Sequence, residues 1–339
     1  DVRAERDADK MLREPTAEEW QDYWINEKIN DRGVRIDVDL ARGAQAYAKE
    51  EEAELVGKIQ ELTEGVVEKA RGEKLKAWVM DRLDEEQLKL MARYKTVDGE
   101  KQKKYSLDKS VREALLAEEL DPVVAEVIEC SDFAQKSSVS KFGAMLHRMD
   151  PQTHRVCGAL MANGASGTGR YSSKGLQVHN FPRKGADDVD GLRLDLVENI
   201  HPEDIREYHG APIMTLLSQM LRAAIIPGKG NKLVVWDWKS IEGRVAPWLT
   251  KSRAGDRKLQ LYIDGVDTYI DAACAIYNMD YDDINDPSEE RDVGKAAELS
   301  LQFGGGENAF MGMARKFGLN LTRDRSALVK TNWRGANPW

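Results

Sequence analysis

The sequence predicts an α+β fold that is mostly helical, and three observations lead to that class. Charged and apolar residues recur at helical spacing from about 40 to 148, and again in 268–277 and 288–303. Strand-like patterning is confined to short runs, Val34-Arg35-Ile36 and Lys232-Leu233-Val234-Val235-Trp236. Finally, 41% hydrophobic and 32% charged residues, with a mean hydropathy of −0.57, describe a globular chain rather than a disordered one. At 339 residues it is long enough for two or three cores, since one rarely grows past about 250–300 residues.

The elements follow in order. Thr16-Ala17-Glu18-Glu19 after Pro15 is a capping box, opening a helix over 16–30 with Trp20, Tyr23, Trp24 and Ile25 on its apolar side. Asp31-Arg32-Gly33 turns the chain into the strand at 34–36. From 40 to 148 the helical pattern is highly charged: Leu55 and Ile59 lie among the acids of 50–61, and Trp78 to Leu90 repeats similarly. These charge runs read as solvated faces, and the Lys-rich stretch 95–110 as an exposed loop between helices. Residues 155–185 turn to glycine and small side chains, which let a backbone approach something closely. An apolar helix over 211–226 ends at Pro227-Gly228, and the strand 232–236 runs into Asp237. A helix over 240–249 is weakened by Gly243 and Pro247. A helix over 268–277, an acidic turn over 280–290 and a strong helix from 288 to 303 follow, with Asp286 as N-cap and Pro287 first. The last residues, from Trp333 to Trp339, show no structure of their own, and no internal repeat is present.

Composition leaves the partner open. The net charge is −9, whereas nucleic-acid binding usually shows as a basic patch. The average conceals such a patch: acids concentrate in 49–86 and 280–290, while Arg170, Lys174, Arg183 and Lys184 cluster in the glycine-rich stretch. Cys130, Cys157 and Cys274 stand singly, which argues against a structural zinc or a disulfide framework and fits a reducing cytoplasm. No apolar run approaches 18 residues, so no membrane span is expected. The N-terminus has neither initiator Met nor signal-peptide core and reads as a cut edge.

Four constellations carry chemistry. Asp237 ends an apolar strand, a place where a carboxylate at a sheet rim can hold a hard cation such as Mg²⁺; the ordinary alternative is a helix N-cap. Its context, Asp237-Trp-Lys-Ser-Ile-Glu-Gly-Arg, resembles motif A of family A DNA polymerases, with Asp237, Ile241, Glu242 and Arg244 matching in spacing. The resemblance implies that Asp237 binds both catalytic metal ions and that Glu242 closes off the room a ribose 2′-hydroxyl would need.

Arg291, Lys295 and Leu299 recur every fourth residue and drift only about 40° per step, so they share a helix face. Two cations above an apolar platform can grip a triphosphate; an amphipathic surface helix is the ordinary account. The segment from Arg291 to Gly306 resembles the same family's motif B, and its Gly-Lys-x-x-Glu-Leu wording is closest to the phage branch. By resemblance Arg291 and Lys295 hold the triphosphate, and Lys295 also protonates the leaving pyrophosphate. Leu299 stands where an aromatic residue is usual and Phe303 replaces the commoner Tyr, which bears on sugar selection rather than on reaction type.

Gly169-Arg170-Tyr171-Ser172-Ser173, followed by Gln177-x-His179-Asn180-Phe181-Pro182-Arg183, resembles the family's Thr-Gly-Arg-x-Ser…Gln-Asn-x-Pro segment. There the Arg lies along the minor groove and the Asn touches the template; His179 stands where Gln is commoner. Lys136 and Lys141, in Gln135-Lys136-Ser137-Ser138-Val139-Ser140-Lys141-Phe142, resemble the family's contacts to duplex backbone. Asp1-Val2-x-Ala4 matches only the tail of a proofreading exonuclease's last motif, and an ordinary charged terminus is the better account. The Asp cluster in 278–283 reads as a solvated turn, and Gly304-Gly305-Gly306 as a helix C-terminal cap rather than a phosphate loop.

The resemblance runs over nearly the whole chain and implies a polymerase right hand of palm, thumb and fingers, with palm and fingers incomplete. The expected division is 1–15 as an exonuclease tail at most, 16–39 as the start of the palm and 40–150 as a helical thumb. Residues 151–250 are then palm with motif A, and 251–339 partial fingers with motif B. The implied reaction is template-directed addition of deoxynucleotides to a primer 3′-end, using two Mg²⁺ ions, with primer–template DNA and dNTPs as partners. No membrane is involved, a processivity factor is left open, and the setting is the cytoplasm, that of the host if the source is viral. The family's second carboxylate set, His-Asp-Glu, does not occur in the sequence, so a C-terminally truncated and inactive fragment is expected. A related single-subunit RNA polymerase, which Glu242 opposes, and a DNA- or nucleotide-binding remnant without catalysis remain the alternatives.

Overall fold

A computed structural model describes residues 2–97, 100–136, 138–165 and 167–338, and divides the chain into two compact units, 1–233 and 234–339. Asp1, of the exonuclease-tail reading, and Ser137, of the basic segment, lie outside the described residues. No helix among the described residues is long and apolar enough to cross a membrane.

The first unit opens with α1 (Val2–Asp9), α2 (Ala17–Arg32), β1 (Val34–Arg35) and α3 (Val38–Leu62). It continues through α4 (Glu73–Met80), α5 (Glu85–Met91), β2 (Ala92–Val97), β3 (Glu100–Tyr105), α6 (Lys109–Leu116), α7 (Pro122–Ala134) and α8 (Ser140–Arg148). It closes with β4 (Arg155–Val156), β5 (Leu160–Ala165), β6 (Arg170–Ser173), α9 (Val189–Glu198), α10 (Pro202–His209) and α11 (Ile213–Met220). Among the described residues the strands form three antiparallel pairs, β1 with β4, β2 with β3 and β5 with β6. The register of β5–β6 sets Leu160 against Ser173 and Ala165 against Arg170.

The 25-residue α3 joins two cores. Its first half, with Leu40, Ala44 and Tyr47, packs with Phe142, Met145, Leu196 and Leu217. Its far end brings Ile59 to Leu75, Trp78, Val79, Leu115 and Ile128. The helix starts where it does because Asp37 caps it, Oδ1 accepting from the Leu40 amide at 3.1 Å. The other oxygen accepts from Arg193 Nε at 2.6 Å and ties α3 to α9.

Among the described residues the second unit holds six α-helices, α12 (Ile241–Thr250), α13 (Arg253–Ile263), α14 (Thr268–Tyr277), α15 (Glu289–Leu301), α16 (Glu307–Lys316) and α17 (Arg323–Ala336), with a short 3₁₀ turn at Tyr281–Asp283. Ala272, Ile276, Val293, Ala297, Leu301, Phe310, Val329 and Trp333 form its core. The capping box at Thr16 and the helices over 241–250 and 268–277 stand as their residues predict, α12 persisting through Gly243 and Pro247.

Several expectations are corrected. Residues 232–236 form no strand, and Val234 and Val235 are 83% and 91% exposed. A strand exists through its ladder, and none of the described residues pairs with this run. The Lys-rich loop expected over 95–110 holds the β2–β3 hairpin, with Ala92 opposite Tyr105. Trp20, Tyr23, Trp24 and Ile25 are exposed, the three rings packing on one another. The 211–226 helix is shorter, and Trp78–Leu90 is two helices parted by the Asp84 cap. Ser288, not Asp286, caps α15, because its hydroxyl reaches the Arg291 amide at 3.1 Å. The C-terminal stretch is helical to Ala336 and buries Trp333.

Two glycines separate close approach from mere flexibility. A Cβ on Gly294 of α15 would sit 2.2 Å from the Tyr269 carbonyl oxygen of α14, whereas one on Gly57 of α3 meets nothing within 4 Å. Gly294→Val is expected to destabilise the chain by about 1–3 kcal/mol through forced separation of the two helices. Gly57→Ala should stabilise it by up to about 1 kcal/mol through helix propensity. Chemical denaturation of both variants measures the opposite signs.

Candidate active site

The motif B helix is set by local sequence before anything packs on it. Ser288 caps it, and Glu289, Glu290 and Asp292 place acids in the first turn, where they complement the helix dipole. Val293, Ala296, Ala297 and Leu301 face the core. Glu298 is buried on the same side, its Oε1 accepting from Lys258 Nζ at 2.9 Å and Trp333 Nε1 at 2.8 Å. Arg291, Lys295 and Leu299 run from half-buried to exposed along the helix rim.

The structure brings Arg291 and Lys295 to one aromatic ring. The Arg291 guanidinium lies 5.5 Å and the Lys295 ammonium 6.0 Å from the centre of Tyr269, and Lys295 also lies 4.6 Å from that of Phe317. Arg291 is held by carboxylates: Nε and Nη2 reach Asp267 Oδ2 at 2.9 and 2.8 Å, and Nη1 reaches Asp286 Oδ1 at 3.3 Å. Burial works against the charge on Arg291, but Asp267 more than restores it, and the pKa lies above its ordinary value. Burial likewise opposes ionisation of Asp267; Arg291 and the Tyr269 and Ile270 amides outweigh it and hold the carboxyl below its usual range.

A cavity of about 270 Å³ opens beside this pair, lined by Lys239, Ser240, Arg244, Tyr262, Asp267, Tyr269 and Arg291 among others. It joins residues 239–244 to α15. Arg244 is fixed there by its Nε donating to the Lys239 carbonyl at 2.9 Å and by stacking 4.7 Å above Tyr262. Three cations and one carboxylate make an anion-seeking lining.

The other expected residues of this unit stand apart from the cavity. Asp237 is exposed, its Oδ1 accepting from the Trp238 amide at 2.9 Å. Glu242 is exposed in the first turn of α12. Phe303 is 64% exposed where α15 ends, and Gly304 (φ +79°) donates back to the Leu301 carbonyl at 3.1 Å, the glycine cap expected there. The acidic turn at 278–283 is solvent-exposed. No group of three or more His, Cys, Asp or Glu that could hold a metal ion lies together among the described residues.

In the first unit, Arg170 opens β6 and is exposed, as are His179 and Asn180 in a short 3₁₀ turn, where His179 Nδ1 meets Ser173 Oγ at 2.8 Å. Lys141 Nζ donates to the Leu176 carbonyl at 3.3 Å and lies 5.8 Å from the Phe181 ring, so it braces this turn from below. Lys136 Nζ donates to Thr215 Oγ1 at 2.5 Å. Burial pushes both lysines below their ordinary pKa. Their ammonium groups serve the chain itself.

Sequence reasoning missed Asp267, Tyr269 and Lys258. Asp267 is legible as the N-cap of α14. Its pairing with Arg291, 24 residues on, follows no local periodicity.

No family model matches the sequence. The chain is 34% identical over 326 residues to a DNA polymerase of Bacillus phage SP02, covering 96% of this chain and 46% of that protein. Its fold matches the polymerase domain of Pol1 from M. smegmatis, solved in complex with DNA primer–template and dNTP, with a TM-score of 0.59 at 15% identity. That match covers 91% of this chain and 45% of the solved one. The chain therefore spans about half the length of each.

The Asp267–Arg291 pair should leave a signature in acid. Because the Asp267 carboxyl is depressed, its contribution to stability is present above the unfolded carboxyl pKa of about 3.9 and is lost as pH falls through the lower folded value. The stability gap between the chain and Asp267→Asn is expected to be constant at neutral pH and to close below about pH 4. Denaturant melts across pH 2.5–7 measure it; a gap that persists at the acid end contradicts the assignment.

Proposed function

We propose that this chain, a family A-like DNA polymerase by sequence similarity and by fold, grips the incoming nucleotide for template-directed extension of a DNA primer. The observation that carries the reading is the cavity in which Lys239 and Arg244 of motif A meet Arg291 of motif B, with Lys295 one turn further along α15. Cations from two separate segments converge on one space of about 270 Å³, as a triphosphate requires. Charge-assisted contacts to phosphate are stronger than neutral hydrogen bonds, and the Arg291 fork suits phosphate oxygens better than a single ammonium does.

The remaining roles follow from the resemblance. Leu299 and Phe303 offer apolar surface beyond the phosphates for base and sugar. Glu242, five residues after Asp237, crowds the sugar C2′. Lys295 is the proton donor to the leaving pyrophosphate. Arg170, His179 and Asn180, exposed together on β6 and the following turn, meet the primer–template duplex; Lys136 and Lys141 support that surface from within. The division into palm (16–39 and 151–250), thumb (40–150) and fingers (251–339) belongs to the same reading, as does action in the cytoplasm, where template and dNTPs are.

Divalent metal ions supply the charge that polymerase chemistry needs at the attacking and leaving oxygens. Asp237 fits as one Mg²⁺ ligand, a carboxylate open to solvent, but it belongs to no group of three or more His, Cys, Asp or Glu that could hold a metal ion among the described residues. The described residues do not make a complete two-ion site.

Lys295→Ala and Arg291→Ala are each expected to weaken dNTP binding about tenfold or more, the yield of a charge-assisted contact. Primer–template affinity should stay nearly unchanged. Calorimetric titration of dNTP, beside anisotropy of a labelled duplex, tests this on the purified chain; an equal loss of DNA affinity contradicts it.

Glu242→Ala should narrow the preference for dNTP over rNTP. The readout is the ratio of the two affinities with primer–template bound, and a ratio equal to that of the unaltered chain removes Glu242 from the sugar site.

A further inference from the structure

Among the described residues, Asp267 is the one carboxylate lining the cavity with its cations, and its two oxygens do different work. Oδ1 accepts from the Tyr269 amide at 2.8 Å and the Ile270 amide at 3.3 Å, capping α14. Oδ2 accepts from Arg291 Nε at 2.9 Å, with Nη2 at 2.8 Å from the same oxygen. That Nε–Nη2 edge is one that can clasp a phosphate with two parallel hydrogen bonds. Nη1 is drawn toward Asp286 at 3.3 Å. An anion that enters the cavity therefore finds the clasp of Arg291 already occupied by a like-charged competitor.

We propose that Asp267 is an exchangeable counter-ion, which a polyphosphate displaces from Arg291, so that this carboxylate sets the affinity of the nucleotide site. The inference rests on the reading of the cavity as a polyphosphate site and adds its control. Exchange is feasible because the cap does not depend on the ion pair: the bonds through Oδ1 hold α14 whether or not Oδ2 keeps Arg291. The pair is also only partly shielded, with side-chain exposures of 17% for Arg291 and 28% for Asp267, so water and ligand reach it. Lys239 and Arg244, in the same lining, add positive charge that favours the incoming anion.

The experiment is a titration of inorganic tripolyphosphate, without metal, into the full chain and into Asp267→Asn, Arg291→Ala and the double variant. Asn caps a helix as well as Asp, but its amide nitrogen cannot accept from the guanidinium. Asp267→Asn is expected to bind about fivefold more tightly, the upper range for releasing a partly exposed ion pair. In the Arg291→Ala background the same change should alter affinity by less than about twofold. Weaker or unchanged binding by Asp267→Asn overturns the proposal, as does an equal gain in both backgrounds, which marks a general charge effect. If Arg291→Ala binds tripolyphosphate as tightly as the unaltered chain, the polyphosphate reading itself falls. Thermal unfolding checks each variant, and Asp267→Ser, which also retains a cap, replaces Asp267→Asn if that variant does not fold.

Discussion

The second unit depends on a charge that is almost out of reach of water. Lys258 and Glu298 are 1% and 4% exposed, and taking two such groups from water costs several kcal/mol each before any attraction is counted. Glu298 is satisfied twice, by Lys258 of α13 and by the Trp333 indole of α17. Lys258 also approaches Asp271 of α14 at 3.6 Å. Four helices thus meet around one ion pair. Its effect is selective more than additive: sliding α15 by one residue strands a buried charge, at about 3–5 kcal/mol. Apolar packing such as that of Val293 and Ile276 in the same core tolerates small shifts far better.

That constraint aims the face of α15 that carries Arg291 and Lys295. Glu298 lies two turns after Arg291 on the same helix, so holding Glu298 inward fixes the rotation of α15 about its axis. Arg291 is then delivered to Asp267 and Tyr269, and Lys295 to Tyr269 and Phe317. Gly294 lets α14 come close enough for those contacts. The cation pair is preorganised by a buried ion pair it never touches.

The first unit relies on length rather than charge. A single helix, α3, feeds apolar residues into both cores, while Asp37 at its start fastens it to α9. The basic turn at 176–183 sits on the first of these cores, where Leu176 and Phe181 are buried and hold Gln177, His179 and Asn180 at the surface. Two lysines that look like phosphate ligands in the sequence are drawn inward by Thr215 and the Leu176 carbonyl. A lysine's role turns on where its ammonium ends up, and four methylenes leave that to tertiary packing.

By itself the sequence determined what depends on neighbours within a few residues. The Thr16–Glu19 box, the helices at 241–250 and 268–277, the glycine stop after Leu301 and the shared face of Arg291 and Lys295 all rest on spacings of three or four residues. Tertiary structure decided whatever needs a partner far along the chain. Residues 232–236 have every side-chain property of a strand and no ladder to join. Trp333 has no evident role until Glu298, 35 residues earlier, accepts its N–H. Arg291 reads as a free cation until Asp267 takes its clasp. Periodicity carries the direction in which a side chain leaves its own helix, whereas the group it meets is set by which helices pack together.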